Sequence, residues 1–161
     1  MAIEWASKLP EDEQARAMVS VANEWAKSDP IGLATYLQQG ELDIRYNYAR
    51  IAEGIADRDD EAAAAWVEGL ESEDHRSYGI MGLAQRAMHT SPANAFEMLE
   101  RIGNTLPRNM QHAYGRSCEK VFEQWAYFDP ASARSALEKS SLSQKQKSRI
   151  LKAVANLKVA P

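Results

Sequence analysis

One short junction recurs along this chain with the same apolar spacing on either side of it, and few folds tolerate that pattern. The stretch Val21 to Leu37 lies without a gap over Ile51 to Val67, Leu83 to Leu99 and Val121 to Leu137. Before the junction the columns read Val21, Ile51, Leu83, Val121, then Ala22, Ala52, Ala84, Phe122. Three residues on come Trp25, Ile55, Ala87, Trp125, and then Ala26, Ala56, Met88, Ala126. The break itself is Asp29-Pro30, Asp59-Asp60, Ser91-Pro92 and Asp129-Pro130. Beyond it stand Leu33, Ala63, Ala95, Ala133, followed by Leu37, Val67, Leu99, Leu137.

Apolar positions at i, i+1, i+4 and i+5 lie on one face of an α-helix. An Asp or Ser before Pro ends that helix and starts the next. The residue before Pro is driven out of the α region, the side-chain oxygen caps the new helix, and Pro needs no N–H at its first position. Steps between Pro30, Asp60, Pro92 and Pro130 are 30, 32 and 38 residues, the period of stacked helical hairpins. Strictly alternating β-branched runs are scarce, so no sheet is expected. The fold class is all-α: an array of about four and a half hairpins, each a long helix followed by a short one.

Trp5-Ala6, Leu9-Pro10, Arg16, Trp25-Ala26 and Asp29-Pro30 resemble a bacterial repeat of the form WA-x-x-LP…R…A-x-x-x-WA-x-x-DP-x-A-A. It is similar to tetratricopeptide-type (TPR-like) repeats. Ile55 and Ala87 replace the Trp in the middle copies, and no Leu-Pro follows Leu37. The resemblance implies an α-solenoid of right-handed superhelical sense and a scaffold role. It implies no catalytic residue and no defined ligand.

In chain order, the sequence predicts the end of a hairpin over 3–9, then a helix over 11–27 with Ala15, Met18, Val19, Ala22, Trp25 and Ala26 inward. A short helix follows Pro30 and ends at Gln38-Gln39-Gly40. Further helices are expected from Asp43 to Asp57 (with Ile44, Tyr48 and Ile51 inward), Ala62 to Leu70, Glu73 to His89, Pro92 to Ile102, Asn109 to Phe128, Pro130 to Lys139 and Ser143 to Leu157. Trp5 to Leu9 aligns with Trp66 to Leu70, so residues 1–161 read as a single helical-repeat domain that opens inside a repeat, a piece of a longer protein. Lys158 stands where Trp25 stands in the first copy, as on an outer edge.

Composition narrows function. At 45% hydrophobic and 26% charged residues the chain is an ordinary globular one. A net charge of −4 and a pI near 5.4 disfavour nucleic acid, since duplex-binding surfaces carry a basic excess. The basic group Lys145, Lys147, Arg149 and Lys152 reads as the solvated face of a last helix. No run is long enough to span a membrane, and there is no signal-peptide hydrophobic segment; the compartment stays open. Cys118 is the only cysteine, which excludes an intramolecular disulfide, and its column (Met18, Tyr48, Ile80) is one of packing.

No motif for catalysis is present. The acidic run Asp57, Asp59, Asp60, Glu61 lacks the Gly of a Ca²⁺ loop and reads as helix capping. His75, near Glu71, Glu73 and Asp74, has no second His at i+4, and His89 and His112 lie in other repeats, so no zinc site converges. There is no Walker A loop, GxGxxG or G-x-S-x-G. Gly54, Gly79, Gly82 and Gly115 sit on helices, where they let neighbours approach closely. No cofactor, metal or enzymatic activity is expected.

One polar column stands on the flank of the apolar stripe: Arg16, Tyr46, Tyr78, Arg116 and Arg149, with Arg50, Arg86 and Lys120 beside it. Arg and Tyr combine contact area with directional donors and are enriched at binding hot spots. Two readings stand. The column is a ladder gripping an extended, acidic peptide or another protein, or its side chains brace one hairpin against the next. The first makes the chain a protein–protein interaction or scaffolding module. The alternative role is a regulatory domain sensing a ligand or peptide for a fused or neighbouring effector. Self-association through Trp5 and Leu9 of the opening half-hairpin is a further expectation.

Overall fold

The computed structural model describes residues 2–38, 47–103 and 106–155, and all regular structure in them is helical. The helices are α1 (Ala2–Ala6), α2 (Glu11–Ser28), α3 (Pro30–Gln38), α4 (Asn47–Ala56), α5 (Asp60–Glu68), α6 (Glu73–Ala87), α7 (Pro92–Ile102), α8 (Gln111–Phe128), α9 (Pro130–Lys139) and α10 (Gln144–Ala155). A 3₁₀ turn at Arg108–Met110 leads into α8. The chain forms two compact units, Met1–Gly82 and Leu83–Pro161, and the division falls within α6.

The junctions show why the chain turns where it does. Asp29 Oδ1 accepts from the Gly32 amide at 2.9 Å, Asp59 Oδ1 from Ala62 at 3.0 Å and Asp129 Oδ1 from Ser132 at 3.0 Å. Each satisfies one of the donors a helix leaves open at its start. Ser91 occupies the same place before Pro92 and makes no such side-chain bond. The acidic run at Asp57–Glu61 therefore contains a working cap, Asp59. Among the described residues, no group of three or more His, Cys, Asp or Glu is placed to hold a metal ion.

In the first unit α2 packs on α1, α3 and α4, and α4 also packs on α3 and α5. In the second, α8 is the centre, with α7, α9 and α10 against it. The recurring columns are the core of both. Ala22, Ala52, Ala84 and Phe122 are buried, as are Leu33, Ala63, Ala95 and Ala133, and Leu37, Val67, Leu99 and Leu137. Small residues at these places let helices come close. A Cβ on Gly54 would lie 2.9 Å from the Ala26 carbonyl oxygen, and one on Gly79 2.7 Å from a Val67 methyl.

Two expectations are corrected or bounded. Ala15 and Val19 were expected inward on α2 but are exposed, Val19 at 41%. The buried stripe of α2 is carried by Ala22 and Ala26. Trp5 is 59% exposed, although Trp25, Trp66 and Trp125 are half-buried. The expected start of a helix at Asp43, with Ile44, lies outside the described residues, as do Gln39-Gly40 and Lys158. No helix among the described residues is long and apolar enough to cross a membrane.

Candidate functional site

A bracing column exists, two positions before the Arg16 column. The Gln14 amide donates to the Ser7 carbonyl at 2.8 Å. At the equivalent place on α6, Arg76 donates to the carbonyls of Leu70 and Glu71, the latter at 3.2 Å. On α10, Lys147 Nζ donates to the Glu138 carbonyl at 2.9 Å. In each case a long side chain in the first turn of a long helix reaches back to open carbonyls at the end of the preceding short segment. Those carbonyls have no partner inside their own helix, so the bond offsets a cost of chain reversal.

The equivalent residue on α8 is Tyr114, and it behaves differently. Its ring is wholly buried and its hydroxyl lies against Gly103, at the end of α7. That hydroxyl has no hydrogen-bond partner of good geometry among the described residues. Burial pushes the Tyr114 phenol up, and the neighbouring Cys118 thiol, one turn along α8, adds to it. Cys118 is buried too, and burial holds its thiol at about 12. Neither group ionises at neutral pH, so this is no nucleophile.

Tyr114 forms part of the wall of a cleft of about 680 Å³ bounded by the 3₁₀ turn, α8 and α10. Gly103, Arg108, Gln111, His112, Gly115, Glu119, Lys145, Gln146 and Arg149 also line it. Several of its polar groups are already engaged. Gln111 Nε2 donates to the Leu106 carbonyl at 3.1 Å, and Gln146 Oε1 accepts from the amide and hydroxyl of Ser143. Arg149 pairs with Glu119, the one carboxylate in the lining. Arg108 and Lys145 are exposed and make no ion pair among the described residues. The cleft therefore carries two uncompensated cations beside an imidazole, in a chain whose total charge is negative.

The residues of the polar ladder are distributed as follows. Arg16 and Arg50 are exposed on α2 and α4, and Arg50 lines a smaller hollow with Glu53, Asp57 and Arg58. Tyr78 is buried at 4% exposure, so it belongs to the packing of α6 rather than to an outer wall. Tyr46 lies outside the described residues. Arg86 is half-buried, and Arg116 and Lys120 are exposed on α8. Within the second unit, Arg149 alone of the extended column lines the cleft.

Sequence reading passed over Arg108, Lys145 and Tyr114 as a group. Arg108 lies in the 3₁₀ turn before α8, Lys145 in the first turn of α10, and the tyrosine looks apolar. The available signal was the column Gln14, Ile44, Arg76, Tyr114, Lys147, in which Ile44 and Tyr114 are the members without an amide or cation. No family model, no curated protein and no solved structure matches this chain.

Proposed function

We propose that this chain is a TPR-like α-solenoid module that binds an acidic segment of another protein and catalyses nothing. The observation that carries the reading is the cleft beside α8, lined by Arg108, Lys145 and His112, of which Arg108 and Lys145 are exposed and make no ion pair among the described residues. Cationic side chains at a concave wall attract carboxylates over a Debye length of about 8 Å at physiological salt. The buried columns and capped junctions support the repeat architecture. Arg116 and Lys120, exposed on the same helix, extend the cationic character of α8.

A second reading is favoured by the size of the cleft. Its volume falls within the roughly 300–1,000 Å³ of small-molecule sites, which suits a regulatory domain sensing a small carboxylate for a fused or neighbouring effector.

Titration of a labelled glutamate-rich peptide against its glutamine counterpart separates these from no binding at all. The acidic peptide should bind more tightly, with an affinity that falls as salt rises. Arg108→Glu or Lys145→Glu should weaken it at least about tenfold without loss of helicity, because both residues are exposed. Equal uptake of the two peptides, or indifference to both variants, would reject the acidic-segment reading. Binding of free glutamate or succinate with the affinity of the peptide would select the small-ligand one.

A further inference from the structure

Helix α8 buries Tyr114, Ser117, Cys118, Val121 and Phe122 on one side. On the opposite side His112, Arg116 and Lys120 follow one another at four-residue spacing, and Tyr127 and Phe128 close the helix. Arg116 and Lys120 are exposed and make no ion pair among the described residues. Of the carboxylates nearby, Glu119 is engaged by Arg149 and Glu123 is half-buried. The face is cationic on balance.

Its aromatic end is an exception within the repeat. Tyr127 and Phe128 are 74% and 66% exposed, and their rings meet edge to face at 5.2 Å. The same two places hold Lys27-Ser28, Asp57-Arg58 and His89-Thr90 in the other copies, and all are exposed. There Lys27 pairs with Glu24, and Arg58 donates to the Ser28 carbonyl at 3.1 Å. Tyr127 and Phe128 replace polar residues at a wet position without taking over either bond. Single apolar residues on a surface are ordinary, but two joined aromatics beside unpaired cations make a contact surface.

The spacing sets the ligand. Arg116 and Tyr127 are eleven residues apart, about 16 Å along a helix, which an extended chain covers in about five residues. We propose that the outer face of α8 binds an extended peptide whose acidic residues are followed or preceded, about five positions away, by a large aliphatic one. Its carboxylates meet Arg116 and Lys120, and its aliphatic side chain sits on Tyr127 and Phe128. The charge of the face selects an anionic partner, and the aromatic pair selects one with an apolar anchor. This rests on the acidic-segment reading and deepens it. His112 belongs both to the cleft and to this row, so one segment can leave the cleft there and end on the aromatics.

Fluorescence polarisation with labelled peptides tests this. One peptide joins three glutamates through two serines to two leucines. Its counterpart has serines in place of the leucines, and each is made in both chain directions. In the better direction, wild type should bind the leucine peptide at least about tenfold more tightly than the serine one. In Tyr127→Ser with Phe128→Ser that advantage should vanish, while the serine peptide binds as it does to wild type. Arg116→Gln with Lys120→Gln should weaken both peptides. All four residues are exposed, so helicity by circular dichroism should not change. Leucine and serine peptides bound alike by wild type in both directions overturn the proposal and leave the acidic-segment reading standing. So does a leucine advantage that survives in the aromatic variant. Failure of both peptides to bind overturns the two readings together. Vesicles of anionic phospholipid held by wild type and lost by the aromatic variant, with the two peptides bound alike, would assign the face to a lipid surface instead.

Discussion

Gly82 of α6 lies so close to the Ala49 carbonyl on α4 that a Cβ at position 82 would overlap it. The obstacle is backbone, which cannot rotate away as a side-chain end can. Gly82→Ala should therefore destabilise the protein by about 1–3 kcal/mol, the usual cost of overpacking, despite alanine's better helix propensity. Gly115 on α8 is the control. Its nearest neighbour beyond the local helix is an Arg149 guanidinium nitrogen, at 3.5 Å from a built Cβ, an ordinary contact with a flexible group. Gly115→Ala should be neutral or stabilising by up to about 1 kcal/mol. Urea denaturation of the two variants checks both signs.

The junctions make a second contrast. Asp59 caps α5 through Ala62, whereas Ser91 makes no side-chain bond at the start of α7. Asp59→Ala should cost about 1 kcal/mol. Ser91→Ala should fall within about 0.5 kcal/mol of wild type, because Pro92 already sets the helix start. Equal losses would mean that the Ser91 hydroxyl caps α7 in solution after all.

Helices and their buried faces were legible because they depend on local spacing. Pro92–Ile102 and Pro130–Lys139 begin at a proline that the chain itself supplies. The Ala22, Leu33 and Leu37 columns are buried in every copy because each copy solves the same packing problem. Ala15 and Val19 were misplaced because periodicity gives a face without saying how wide its cover is. The bracing bonds from Gln14, Arg76 and Lys147 were missed for another reason. They depend on where a long side chain ends after a chain reversal, which no single-helix period encodes. The cleft was least legible of all, since Arg108, Tyr114 and Lys145 come together only through the approach of α10 to α8.

Burial holds the Cys118 thiol at about 12, far above the roughly 8.5 of an exposed cysteine. A charged aromatic disulfide reagent at mildly alkaline pH should label the native protein more than about a hundredfold more slowly than the unfolded chain. Labelling should rise with urea in step with the loss of helicity. Tyr114→Phe, which removes the facing hydroxyl, should leave stability within about 0.5–1 kcal/mol of wild type, because that group forms no well-made bond to lose. The same variant should leave uptake of an acidic peptide unchanged, because the hydroxyl is sealed from solvent beneath the cleft. Rapid labelling of the native protein would show that Cys118 opens to solvent without unfolding.

Asp129 gives the chain a defined acid response. Its carboxyl is held below the usual range, first by the Ser132 side chain and then by the Ser132 and Ala131 amides at the start of α9. Those bonds are strongest to the ionised form, so the folded-state value lies below the unfolded one of about 3.9. Stability from this group is therefore fully present above the unfolded value. It is lost as pH falls from there through the folded value, where the native carboxylate also takes up its proton. Asn keeps an acceptor oxygen for the cap but does not titrate. Asp129→Asn should thus melt somewhat below wild type at neutral pH, and the difference should shrink as pH falls below about 4. Thermal melts of both proteins across that window give the result directly. A difference that stays constant down to the acid limit would mean that the Asp129 carboxylate contributes nothing to α9 beyond what a neutral amide does.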